Sequence, residues 1–258
     1  MIKIISGFSS MGGSTEAFIN LTNSLNEKGY ETCFYGPHEY HLDKCNSKLI
    51  KEISFKGSDI FICHYTKDIP FIGKKKIFSC HERKNFFNLN DIVDELDVVH
   101  FVSEQQKSEH SLNIDSFVLP NIIQDIKIID KPNIKVGGII GTIFPTKNTH
   151  VSILEALKDG CEKVLIYGNI GHENYFKEYI LPLVDNKKVF YCGWVIDKSK
   201  IYSSLTDVYH YSQTETWGYI EGECYVTGTN FHKSENLKNF SFMKNEDIIN
   251  KWIEIINE

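Results

Sequence analysis

Short runs of apolar and β-branched residues recur along this chain, with polar or helix-patterned segments between them. They are IKIIS (2–6), ETCFYG (31–36), DIFICH (59–64), KIFSC (76–80), DVVHFVS (97–103), KVGGIIG (135–141), KVLIYG (163–168), KVFYCG (188–193) and DVYHYS (207–212). Runs this short with little polar alternation predict strands buried on both faces, as in a parallel sheet. STEAFINLTNSLNEKG (14–29) predicts a helix that opens on a Ser/Thr cap and stops at Gly29, with Ala17, Leu21 and Leu25 on one face. THVSILEALKDG (149–160) and GYIEGECYV (218–226) read as further helices. Strands alternating with helices imply βαβ units and a doubly wound α/β architecture.

The segment IIQDIKIIDKPNIK (122–135), after Pro120-Asn121 and with Pro132 inside it, is the expected boundary. Strands divide about evenly on either side, which predicts two Rossmann-like domains facing a cleft rather than one very wide sheet. The expected division is 1–128, 134–235 and a C-terminal helical segment, 236–258, that packs back on the N-terminal domain. In such folds ligands sit beyond the carboxyl ends of the strands, so function belongs in the loops that follow them.

Charge narrows the partners. Lys and Arg number 28 against 34 acidic residues, a formal net charge of −6, so no nucleic-acid partner is expected. The 7 cysteines form no C-x-x-C pair and are odd in number, which speaks against a disulfide framework or a zinc ribbon. Cys33, Cys63, Cys80, Cys192 and Cys224 lie in or beside apolar runs and are expected to be buried free thiols. Neither a secretory leader nor a transmembrane segment is expected, which predicts a cytoplasmic protein. Peripheral membrane contact stays open.

Several post-strand loops carry candidate chemistry. SGFSSMGGST (6–15) is glycine-rich and leads into a helix whose free N–H groups suit an anion, yet it fits neither the P-loop nor G-x-G-x-x-G. An ordinary tight turn explains it equally well. His64 and His81 each end a strand, as hydrogen-bonded structural residues, substrate contacts or, with a third ligand, a metal pair. Lys147 in GTIFPTKNTH precedes a helix, where it meets a phosphate or simply water. In YSQTETWGYIEGECYVTG (211–228), Glu215 precedes a helix that contains Glu221 and Glu223. Two helical positions are about 200° apart at about 100° per residue, so Glu221 and Glu223 cannot face one ligand.

ETWGYIEGE, with Glu215 and Glu223 separated by seven residues, resembles the E-x7-E signature of retaining glycosyltransferases of the GT-B fold, especially glycosyltransferase family 4, in a short form. GFSSMGGSTEAF is similar to that family's glycine-rich first loop, and FSCHER to its strand-then-histidine segment. DVVHFVSEQQK with VLPNII looks like its serine-bearing strand and its Pro-Asn entry to the linker. The resemblance runs over about residues 1–230.

It implies a role for each matching residue. Glu215 would sit at the donor sugar and Glu223 would hold the ribose hydroxyls. The backbone amides of Trp217, Gly218 and Tyr219 would meet the sugar or diphosphate, and Lys147 would neutralise the leaving diphosphate. Gly12 and Gly13 would cover it, and His81 would lie near the reacting centre. Thr142 stands in the diphosphate loop where the family has arginine, and Asn148 where it has glycine. The activity implied is transfer of a sugar from a UDP- or GDP-sugar to an acceptor glycan or other hydroxyl compound, with retention, no metal and no cofactor. A nucleotide-sugar epimerase of the same fold and a non-catalytic nucleotide-sugar-binding protein are the alternatives.

Overall fold

The structure, a computed structural model, describes residues 1–258 except 9–11, 71, 214, 238–239 and 241, and the Tyr40 side chain. The chain divides into two compact units, Met1–Ile123 with Ser241–Glu258, and Gln124–Phe240.

In the first unit the elements run β1 (Ile2–Ser6), α1 (Gly13–Glu27), β2 (Thr32–Gly36), β3 (Ser47–Leu49), β4 (Ile60–His64), β5 (Lys75–Cys80), β6 (Val98–Phe101), α2 (Glu104–His110) and β7 (Ser116–Val118). They form a 7-stranded sheet in the order β3-β2-β1-β4-β5-β6-β7, with every pairing parallel. Every residue of β1, β2 and β4 is buried, as expected of continuous apolar runs covered on both faces. Lys3 is a charged residue among them, and its ammonium lies 2.6 Å from the buried Asp59 carboxylate.

The second unit contains β8 (Val136–Ile140), α3 (Thr149–Lys158), β9 (Lys163–Tyr167), α4 (Glu173–Tyr175), β10 (Val189–Gly193), α5 (Lys198–Ser203), β11 (Asp207–His210), α6 (Tyr219–Thr227) and β12 (Asn230–Lys233). Its 5-stranded parallel sheet has the order β10-β9-β8-β11-β12. The chain then rejoins the first unit as α7 (Asn245–Asn257).

Each sheet has an apolar layer on both faces. In the first unit α1 and α7 supply Phe18, Leu25, Trp252 and Ile256 to one layer, and Phe61, Phe78, Leu89 and Phe101 fill the other. In the second, α3 covers Ile139, Val164 and Ile166, while α5 and α6 bring Tyr202 and Cys224 against Val136 and Val208. The connecting segment is shared: Ile122 joins the first unit's core, and Ile126 and Ile128 pack on the second unit's.

Some local expectations need correction. The first residue of α1 is Gly13, its N-cap is Gly12 in extended conformation, and no side chain caps it; the expected Ser/Thr cap lies inside the helix, where Thr15 is buried. Cys192 is exposed and Cys161 buried. The reason is position, because Cys192 lies on an edge strand beside a register shift between Tyr191 and Gly193. All the cysteines are free thiols.

Candidate active site

The loops after β8 and β11 build one end of the second unit. Beyond β8 the chain makes a 3-10 turn, Pro145–Lys147, and enters α3 through Asn148, whose φ of 48° and ψ of 40° lie in the left-handed region. Asparagine is, after glycine, among the residues that tolerate this conformation best, so Asn148 suits this backbone path. The loop after β11 is tied to that turn. Gln213 N–H donates to the Thr146 carbonyl at 2.9 Å, and Tyr211 N–H donates to Ser152 Oγ at 3.1 Å.

These ties bring Lys147 Nζ to 2.5 Å from Glu215 Oε1, and His210 Nε2 lies 2.7 Å from the same oxygen. Burial pushes the Glu215 carboxyl up, but the His210 hydrogen bond and the Lys147 charge outweigh it and hold the pKa at about 2. Both bonds fall on Oε1, and among the described residues none reaches Oε2. That oxygen can accept a hydroxyl while the carboxylate stays anionic. Thr142 follows Gly141 and is exposed, so it brings no charge to the one that Lys147 supplies.

The helical glutamates part as their phasing requires. Glu221 takes Lys233 of β12 on both oxygens, at 2.8 and 2.9 Å. Glu223 is buried, with Lys198 Nζ 2.7 Å from Oε1 and the Tyr202 hydroxyl donating to Oε2 at 2.6 Å. Burial and the adjacent carboxylate push the Tyr202 phenol well above its usual range, so it stays a donor. Trp217 is buried with its ring edge-on to Tyr219 at 5.5 Å. Gly218 precedes α6, and a Cβ there would come within 2.6 Å of the Phe240 ring.

Gly12, Gly13 and His81 belong to the first unit. Ser9, Ser10 and Met11 of the glycine-rich loop lie outside the described residues. Gly12 φ is −168°, extended backbone that any residue adopts, so conformation alone does not demand glycine there. Gly7 is different, because a Cβ would come within 2.5 Å of the Tyr65 carbonyl oxygen. His81 follows β5, edge-on to His64 with ring centroids 5.2 Å apart. Both His64 nitrogens are engaged, Nδ1 with Ser6 Oγ at 2.8 Å and Nε2 with Glu82 Oε1 at 2.9 Å. Among the described residues no group of three His, Cys, Asp or Glu side chains could hold a metal ion. His81, Ser79, His100 and Asn121 line a small pocket together with Phe18 and Trp252.

Sequence reasoning did not single out His210, Lys198, Tyr202, Ser79 or His100. A polar residue closing a buried strand run, as in DVYH, was the available signal for His210. Lys198 and Tyr202 lie on a helix with no motif of its own.

Two parallel-sheet α/β units with these sheet orders define the GT-B fold. Among solved structures with it, AviGT4, a glycosyltransferase involved in avilamycin A biosynthesis, matches with a TM-score of 0.69 at 14% identity, over 99% of this chain and 97% of its own. Anabaena Alr3699/HepE in complex with UDP-glucose gives 0.68 at 14% identity, over 99% and 90%. WaaG, a glycosyltransferase involved in lipopolysaccharide biosynthesis, gives 0.64 at 10% identity, over 100% and 91%. At these identities the likeness is one of fold. No protein-family model and no curated protein matches the sequence.

Proposed function

We propose that this protein is a retaining, metal-independent glycosyltransferase that moves a sugar from a nucleoside diphosphate donor to a hydroxyl acceptor. The observation that carries the reading is the Lys147–Glu215–His210 cluster, set where the loops after β8 and β11 meet. In this reading Lys147 turns from Glu215 to the diphosphate, and the amides at the start of α6 share that charge. The anionic Glu215 accepts a donor-sugar hydroxyl through Oε2, and Glu223 accepts ribose hydroxyls on the lone pairs left by Lys198 and Tyr202. HepE, which has this fold, is seen in complex with UDP-glucose, which supports a nucleotide-sugar donor.

Thr142 favours a second reading, a nucleotide-sugar-binding protein without transfer, because the leaving diphosphate meets one lysine where a pair of cations would stabilise it further. A thermal-shift screen against UDP-, GDP-, ADP- and TDP-sugars comes first, since a ligand selective for the folded state raises the melting temperature. A flat response to all removes both readings. Anomeric proton signals of the product then decide retention, and an inverted product rejects it. Turnover that vanishes in EDTA and returns with a divalent cation rejects metal independence. A new epimer from the donor alone would point to an epimerase.

A further inference from the structure

Parallel register sets a serine beside a histidine twice in the first unit: Ser6 beside His64 across β1 and β4, and Ser79 beside His100 across β5 and β6. The first pair is closed. Ser6 Oγ accepts the Phe8 N–H at 3.2 Å and bonds His64 Nδ1, while Glu82 takes His64 Nε2, so each ring nitrogen is spent inside the protein. The second pair leads to an open end. His100 Nε2 lies 2.8 Å from the Leu119 carbonyl oxygen. A carbonyl only accepts, so Nε2 carries the proton. Burial lowers the His100 pKa to about 4, which leaves the ring neutral near pH 7 with a lone pair on Nδ1.

Ser79 Oγ, 2.8 Å from that Nδ1, donates its single hydrogen there. Its oxygen is then an acceptor toward His81 Nε2 at 3.2 Å. His81 must put its proton on Nε2. Burial, with the His64 and His100 rings beside it, holds His81 well below the usual histidine range, so its Nδ1 keeps a lone pair. Phe18 also lies against the ring, at 4.9 Å between centroids, and Glu82 Oε2 lies 3.3 Å from the His81 backbone N–H. Among the described residues no hydrogen-bond partner reaches Nδ1, and His81 is only partly buried.

We propose that Ser79 and His100 are positioning residues that lock His81 in the Nε2–H tautomer, so that Nδ1 is a fixed hydrogen-bond acceptor for a ligand hydroxyl. Such an atom selects an alcohol or sugar hydroxyl over a phosphate or carboxylate oxygen, which has no hydrogen to give. That the hydroxyl belongs to a sugar substrate rests on the glycosyltransferase reading; the tautomer does not.

Proton–nitrogen correlation spectra of protein carrying isotope-labelled histidine, recorded near pH 7 without substrate, read the tautomer directly. The expected result is pure Nε2–H for His81 in the native protein and in Ser79→Thr, which keeps the hydroxyl, and a mixture in Ser79→Ala. His100→Phe frees the serine hydrogen and is expected to give the same mixture, which covers the case of Ser79→Ala failing to fold. A native His81 protonated on Nδ1 or on both nitrogens overturns the proposal, as does a pure Nε2–H form in a folded variant of either kind. With UDP-glucose as the donor tried, Ser79→Ala is expected to lower kcat about tenfold at nearly unchanged KM, with Ser79→Thr restoring it. Absence of turnover with every donor would reject the glycosyltransferase reading and leave the spectra to judge the tautomer.

Discussion

Glu215, Glu221 and Glu223 sit within nine residues of one another, yet each has its own partners, and each substitution has its own expected effect. Glu215→Gln removes the anion that takes Lys147 and His210 and is expected to lower kcat about a hundredfold, read by steady-state kinetics. On the proposed function, Glu223→Gln is expected to weaken UDP binding about tenfold, as for a lost charge-assisted hydrogen bond, read by calorimetry. Glu221→Gln leaves both within about twofold; if it proved the worst of the three, the helical phasing would not explain function. Between about pH 6.5 and the carboxylate range, acid stability is a histidine matter. The unfolded His100 side chain takes a proton near pH 6.5 and the folded one only near 4, so unfolded molecules bind more protons in that window. The His100 contribution is therefore complete above about 6.5 and drains away as the pH falls toward 4, by on the order of 3 kcal/mol. Urea unfolding across that range is expected to show a shallower acid limb in His100→Phe. Phasing made the division of the glutamates legible in the sequence. Their partners were not, because Lys198 and Tyr202 reach Glu223 from another helix.

At the scale of elements, strands buried on both faces were readable because burial imposes continuous apolar runs. Of the edge strands only β10 was: β3, β7 and β12 read SKL, SFV and NFHK, and none of their residues is fully buried. The serine–histidine pairs were hidden for another reason. Parallel register is set by crossover connections and packing, so no local pattern announces that Ser79 will stand beside His100. α7 shows what an element contributes beyond its own sequence. Its Ile248, Ile249, Trp252 and Ile256 are buried, and Trp252 lies edge-on to His100 at 4.7 Å and to Phe117 at 5.3 Å. Trp252→Ala is expected to cost about 3–5 kcal/mol in chemical denaturation. At Gly168, φ is +151° and a Cβ would come within 1.9 Å of the Gly141 carbonyl oxygen. Gly168→Ala is therefore expected to disturb the turn before Lys147, where a surface glycine such as Gly57 would tolerate the change.

For the whole molecule, the two units each have their own sheet and their own apolar layers. Calorimetry is expected to resolve unfolding into two components rather than one all-or-none transition. Trp252→Ala should lower the component of the first unit, and UDP should raise that of the second, by mass action. A single transition that both shift together would contradict the assignment. No helix among the described residues is long and apolar enough to cross a membrane.

The return of the chain through α7 also orders events in time. Asn245 closes both backbone groups of Ile123, accepting its N–H at 3.1 Å and donating to its carbonyl at 2.7 Å. During synthesis, domains generally fold as they emerge. Here the unit that begins first has to wait: its apolar layer stays open until residues beyond 244 leave the ribosome, while 124–240 are already out and free to fold. The segment made second is thus the one able to finish first, and a chain truncated after residue 240 should keep a protease-resistant second unit while its first unit is cleaved.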